Sequence, residues 1–276
     1  MTVQAQPVLS VVTASRNRRD CLLRKLDSLR AQTLQPGLFE WLVCLDATED
    51  DSKDALQAEL AARPPAFKVA VVESLVQVGP GPARNQAAAM AAGRVIYLSD
   101  DDCLPEPETL ELHLKAQAEP AVFVGSIRFE DGGRGSHWRP SRVDWWNVNG
   151  ANSSMPLGSF KAVGGFPDYL EGYGGEDLAL GYQLHAAGLA IRPLPGAATV
   201  HLGKATGRGN NPDNWYQAGA NAMRLARRHP EMAGRLGVEG WQLALKRILT
   251  PLLGRRGRLE AAYTRGALDL ANGGSQ

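Results

Sequence analysis

The chain has 276 residues, 44% of them hydrophobic, and a formal net charge of +1. That length suits one large α/β domain with an appendage, and the near-neutral balance excludes a whole-protein electrostatic footprint for nucleic acid. Three cysteines, odd in number and set in or beside apolar segments, exclude a disulfide framework, and no apolar run is long enough to cross a bilayer, so the chain reads as cytoplasmic, soluble or peripheral on the inner face of a membrane.

In chain order, β-rich runs alternate with helical patterns. A strand is expected over 8–13, an amphipathic helix over 21–32, a strand over 40–45, a charged helix over 52–62, a strand over 68–73, an alanine-rich helix over 82–92 and a strand over 95–98. This alternation predicts βαβ units and a mostly parallel central sheet flanked by helices. Ligands of such sheets bind just past the carboxyl ends of the strands, so residues 13–16, Asp46 and residues 100–102 are expected to converge. From Val122 the pattern turns to mixed β structure with a Gly/Arg-rich loop and the adjacent Trp145 and Trp146. After Gly207 comes a loop, then helices with a turn near 234–240 and a break at Pro251.

The run Asp100, Asp101, Asp102 ends an apolar strand. In an extended chain Asp100 and Asp102 share a face, an oxygen-rich half-site for Mg²⁺ or Mn²⁺ and a phosphate; equally, the acids could form a solvated loop ahead of a helix started by Pro105, Glu106 and Glu108. Segment 78–93 holds Gly79 and Gly81 at a spacing that begins a dinucleotide fingerprint, but Arg84 stands where its third glycine belongs. Arg84 and Asn85 on a first helical turn could meet a phosphate or face solvent. After Gly174 and Gly175, Glu176 and Asp177 open a helix, either as capping residues or with a carboxylate placed to take a proton from a hydroxyl. His201, at another strand end, is a structural histidine or a metal ligand. Trp146 could offer its ring face to a ligand, or one tryptophan of the pair could fill the core. Loop 203–214, with Lys204 and Arg208, is a basic lid over a bound anion or an ordinary connection. Near the C-terminus Trp241, Leu245, Ile248, Leu249 and Leu252 share one helical side among basic residues. That side could lie on an anionic membrane, or pack on the catalytic domain or a second subunit of a homodimer.

The ordered series "VVTASRNR", "VCLDATEDDS", "GPARNQAA", "YLSDDDC", "NGANSSM", "VGGF", "GYGGEDLALGYQL" and "VHLG" resembles the family-2 inverting glycosyltransferases of the GT-A fold. The GGED segment is also similar to the C-terminal region of galactosyltransferases and polypeptide N-acetylgalactosaminyltransferases. The resemblance covers about residues 7–205 and implies a catalytic domain over 1–206, with a nucleotide-binding half over 7–120 and an acceptor-binding half over 121–206. Residues 207–276 would form a loop and helical extension. It implies metal-dependent transfer of a sugar from a nucleotide-diphosphate sugar, UDP-linked by preference, to a hydroxyl of a saccharide or glycolipid in cell-surface polysaccharide or glycoconjugate synthesis. On this resemblance Thr13, Arg16 and Asp46 hold the nucleoside, Arg84 reaches the nucleotide or phosphate, and Asp100 and Asp102 end a DXD motif with Asp101 between them in the nucleotide-binding set. Asn152 contacts the donor sugar, Asp177 is the general base, Glu176 orients the acceptor and His201 is a metal ligand beside Asp102. Two other classes stay open: an NAD-dependent oxidoreductase, and an inactive carbohydrate-binding or scaffolding protein that kept a transferase fold.

Overall fold

The computed structural model describes residues 6–132, 137–203 and 211–273. The chain divides into two compact units, residues 1–167 with 180–205, and residues 168–179 with 206–276.

In the first unit the described residues contain nine strands in one sheet, β1 (Leu9–Ser15), β2 (Phe39–Asp46), β3 (Lys68–Ser74), β4 (Val95–Leu98), β5 (Cys103–Pro105), β6 (Val122–Phe129), β7 (His137–Trp138), β8 (Ser153–Pro156) and β9 (Ile191–His201). Their order is β3-β2-β1-β4-β8-β6-β9-β5, with β7 on the side of β6. The first four are parallel, as the βαβ alternation predicts. Beyond β4 the sheet is mixed, because β8 runs antiparallel to both β4 and β6, and β5 antiparallel to β9.

Helices α1 (Arg19–Arg30), α2 (Ser52–Ala62), α3 (Pro80–Ala89), α4 (Thr109–Ala116), α5 (Leu157–Ala162) and α6 (Glu176–Ala186) follow in chain order. All eight residues of β2 are buried, as a strand covered on both faces requires. Alternation splits its side chains between two cores. Trp41 and Val43 join Leu22, Leu26, Leu56 and Leu110, while Leu42 and Cys44 join Ala83, Ala87, Met155 and Phe160. The helix expected to start at Pro105 starts at Thr109 instead, since residues 103–105 pair with β9 before the chain turns.

Between α4, β4 and β8 lies a closed polar cluster. The His113 ring makes hydrogen bonds to Ser154 Oγ (2.8 Å, from Nδ1) and Asn152 Oδ1 (2.9 Å, from Nε2), and the Tyr97 hydroxyl donates to the same Asn152 oxygen at 3.0 Å. His113 is fully buried, and burial pushes its imidazole down to about 4. The second unit comprises the loop ahead of α6 and helices α7 (Pro212–Arg228), α8 (Ala233–Leu236), α9 (Gly240–Leu249) and α10 (Gly254–Asn272). Leu225, Leu236, Leu243, Leu259 and Tyr263 are buried there, and the Tyr263 hydroxyl donates to Leu236 O at 2.7 Å.

Between the ordinary histidine value of 6.5 and about 4, the unfolded chain takes up a proton at position 113 that the folded chain refuses. Stability should therefore fall as pH drops through this window, by on the order of 3 kcal/mol from this group. Denaturant midpoints measured from pH 7 to 4.5 should show the loss in the wild type and a shallower dependence in His113→Gln; equal slopes would refute the assignment.

Candidate active site

The three acids sit in a turn that follows β4 rather than in an extended strand, closed by Cys103 N–H donating to Asp100 O at 3.1 Å. In place of the expected face shared by Asp100 and Asp102, Asp100 meets one arginine while Asp101 and Asp102 share another. Asp100 pairs with Arg84. Asp102 accepts from Arg18 at 2.5 Å, and the same guanidinium nitrogen lies 3.5 Å from Asp101. Asp101 also accepts from Ser15 Oγ at 2.7 Å. From beneath, the wholly buried Lys25 donates to Ser99 Oγ, to Cys103 O at 2.5 Å and to Asp100 O at 3.1 Å. Burial lowers the Lys25 ammonium to about 8 and raises the Asp101 carboxyl to about 6, the latter against Arg18 and Ser15. Burial would raise Asp100 too, but Arg84, with a smaller contribution from Lys25, holds it below the usual carboxylate range.

His201 arrives at this turn through sheet register. It lies opposite Cys103 in the β5–β9 pair, and the Leu202 amide donates to Asp102 O at 2.7 Å. Its Nε2 is 3.7 Å from Asp102 Oδ1. His201 Nδ1 faces Leu202 O at 2.9 Å, and a carbonyl only accepts, so Nδ1 carries the proton and Nε2 presents its lone pair. A carboxylate oxygen and an imidazole lone pair this close suit a single divalent ion, whose neighbouring ligands at ~2.1 Å stand roughly 3 Å apart. Among the described residues, Asp102, Cys103 and His201 form the compact group of potential ligands, their donor atoms within 4.8 Å of one another, and Asp100 is outside it. The Cys103 thiol is buried and held well above its usual value, first by burial, so it serves as a hydrogen-bonding neighbour of Asp102 Oδ1 at 3.6 Å.

Several residues expected on the ligand have their side chains engaged inside the protein. Thr13 Oγ1 donates to Ser99 O at 2.9 Å and accepts from Trp41 Nε1 at 3.0 Å, with no exposed surface. Asn152 is equally enclosed, its amide donating to Ser126 O at 2.8 Å and Ala197 O at 3.1 Å. The Asp46 carboxylate accepts from the amides of Val78 and Gly79 at 2.8 and 2.9 Å. Those two amides would have to cradle a pyrophosphate in a dinucleotide site, so the glycine spacing there makes a capped turn instead. Arg84 is buried rather than solvent-facing, lies over the Phe166 ring at 5.2 Å and backs onto Gly150. A Cβ at Gly150 would stand 2.6 Å from Arg84 Nη2, so a larger residue there would require the guanidinium to shift.

Arg16 is exposed at the end of β1, while the residue that reaches the acids is Arg18. Between them Asn17 has a φ of +53°, and its side chain accepts from Glu49 N at 2.8 Å. Ala47, just past β2, has a φ of +48°, at a cost of about 1–2 kcal/mol for a residue with a Cβ. Trp146 is half-buried in a 3₁₀ turn capped by Asp144, edge-on to Trp145, whose ring also meets Tyr182.

In the second unit Glu176 and Asp177 open α6 directly after Gly174 and Gly175, whose φ values of +88° and +100° give the tight turn expected of them. Asn221 of α7, buried and unforeseen, laces this loop. It donates to Glu171 O at 2.9 Å and Gly174 O at 2.7 Å, and accepts from Glu171 N at 3.2 Å. Lys204 and Arg208 lie outside the described residues.

The fold is that of the GT-A glycosyltransferases. The mannosyltransferase PcManGT of Pyrobaculum calidifontis, solved with GDP-Man and Mn²⁺, aligns with a TM-score of 0.68 at 18% identity, over 98% of this chain and 88% of that one. S. aureus TarS 1-349 with UDP aligns with a TM-score of 0.60 at 16% identity, over 96% and 91%. The chain belongs to glycosyl transferase family 2, whose model it matches over residues 10–166, and residues 136–205 match a model described as the N-terminal domain of galactosyltransferase. Two proteins named validoxylamine A glucosyltransferase, from Streptomyces hygroscopicus subsp. limoneus and subsp. jinggangensis, are each 27% identical over 82% of this chain. The match spans 58% and 62% of their lengths.

Gly150→Ala should displace Arg84 from Asp100 and destabilise the fold by about 1–3 kcal/mol. Chemical denaturation measures this; unchanged stability would mean that Arg84 is not seated against residue 150.

Proposed function

We propose that the protein transfers a sugar from a nucleoside-diphosphate donor, UDP-linked by preference, to a hydroxyl of a saccharide or lipid-linked acceptor, with inversion and with help from a divalent ion. The observation that carries this reading is the pair Asp102 Oδ1 and His201 Nε2, 3.7 Å apart past the strand ends of a family-2 fold. Donors named with the structural neighbours are GDP-Man and UDP-GlcNAc, and Mn²⁺ accompanies the first, which supports a nucleotide sugar and a metal of this kind without choosing the base or sugar.

In the reaction the acceptor oxygen attacks the anomeric carbon from the face opposite the diphosphate, the new carbon–oxygen bond forms as the bond to phosphate breaks, and the nucleoside diphosphate leaves. Asp177, fixed at the start of α6, takes the hydroxyl proton, and Glu176 beside it orients the acceptor. Asp102 and His201 would hold Mn²⁺ or Mg²⁺, which when bound supplies positive charge where the departing diphosphate gains negative charge. Arg18 is the mobile counterpart: half-exposed and bonded to Asp102, it can turn from the carboxylate to a phosphate oxygen as donor enters. Trp146 offers a ring face to an acceptor sugar. The three free cysteines support a reducing compartment such as the cytoplasm.

Asp177→Asn should retain donor affinity by calorimetry yet lose transfer by about 10²-fold or more. Transfer at the wild-type rate would remove Asp177 from its role, and a wild-type protein that binds UDP-sugars without turnover would favour a binding protein. Asp102→Asn and His201→Ala should each weaken Mn²⁺ binding by about tenfold or more; titration followed by electron spin resonance would show it, and unaltered affinity in both would refute the ligand pair.

A further inference from the structure

The second unit presents an apolar face with a one-signed rim. Helix α9 and the 3₁₀ turn that follows expose Trp241, Ile248 and Leu252 at 65%, 69% and 79%, with Leu245, Leu249 and Leu253 also exposed. Positions 241, 245, 248, 249 and 252 are spaced to form one stripe, while Leu243 points inward and is buried. Soluble chains seldom leave so many large apolar side chains together in water without a partner. Among the described residues of its own unit, nothing covers this stripe.

The charges select between a membrane and a second copy. From Gly240 to Leu259 the chain has five basic residues and no acidic one. Lys246 turns inward to Glu260 and the Tyr263 ring, whereas Arg247, Arg255, Arg256 and Arg258 are exposed and form no ion pair among the described residues. The flanking acids are engaged, Glu239 with Trp241 Nε1 at 2.6 Å and Glu260 with Lys246. A two-fold pairing of this face with itself would set arginines against arginines, whereas an anionic surface neutralises them.

We infer that this face docks on an anionic phospholipid bilayer, with Trp241, Ile248 and Leu252 among the acyl chains and the arginines on lipid phosphates. No helix among the described residues is long and apolar enough to cross a membrane, so the contact is peripheral. This surface goes beyond the sugar-transfer reading and does not rest on it.

The test is co-sedimentation of the full chain with vesicles made of equal parts phosphatidylcholine and phosphatidylglycerol, and with phosphatidylcholine alone. Binding should be at least about tenfold stronger to the anionic vesicles and weaken with salt. Arg255→Gln with Arg256→Gln should lose most of the salt-sensitive part. Ile248→Asp with Leu252→Asp should abolish binding while keeping the melting temperature, since both side chains are exposed. No binding to anionic vesicles, or equal binding by the Ile248/Leu252 variant, would overturn the inference. So would a dimer in solution that this variant splits, which would assign the face to a second copy. Turnover plays no part in the readout, so failure here leaves sugar transfer standing.

Discussion

Consecutive carboxylates at the end of a buried strand are tolerable only if cations are built in with them, and the rest of the first unit is arranged to deliver those cations. Arg84 comes from α3 and is pressed onto Asp100 by Gly150 and Phe166. Lys25 comes from α1 and ties the turn's backbone from below. Both are buried, and removing either would leave the groups it bonds in the turn without their donor, so they belong to the fold. Arg18 differs. It is half-exposed, and it occupies the carboxylate that, with His201, would meet a metal. Two cations beside the acidic turn are thus enclosed in the fold and a third is half-exposed.

The sheet, through the register of β5 and β9, sets His201 opposite Cys103 and so beside the acidic turn. The acidic pair Glu176–Asp177 is instead positioned by the loop that Asn221 holds.

Much of the first half was legible because periodicity and burial agree there. Helix α2 and strand β4 fall where the pattern puts them, and the parallel run ends where alternation ends. What escaped depended on dihedral angles and distant register. Asn17 turns the chain through a left-handed residue, so the arginine that meets the acids is Arg18 and not Arg16. Thr13, Asp46 and Asn152 sit at the right strand ends, but their side chains satisfy buried groups that only the assembled sheet creates. Asn221, distant in sequence from the loop it laces, carries no local pattern that marks it. The pairing of Asp102 with His201 came from family resemblance, since nothing in the spacing of the two residues predicts β5 against β9.

The most direct measurement is the anomalous scattering of manganese in crystals grown with Mn²⁺ and UDP. A peak bonded to both Asp102 and His201, with the diphosphate on its far side and Arg18 turned to a phosphate oxygen, is the predicted result. Manganese absent from that pair, or a diphosphate bound away from it with Arg18 still on Asp102, would contradict the account.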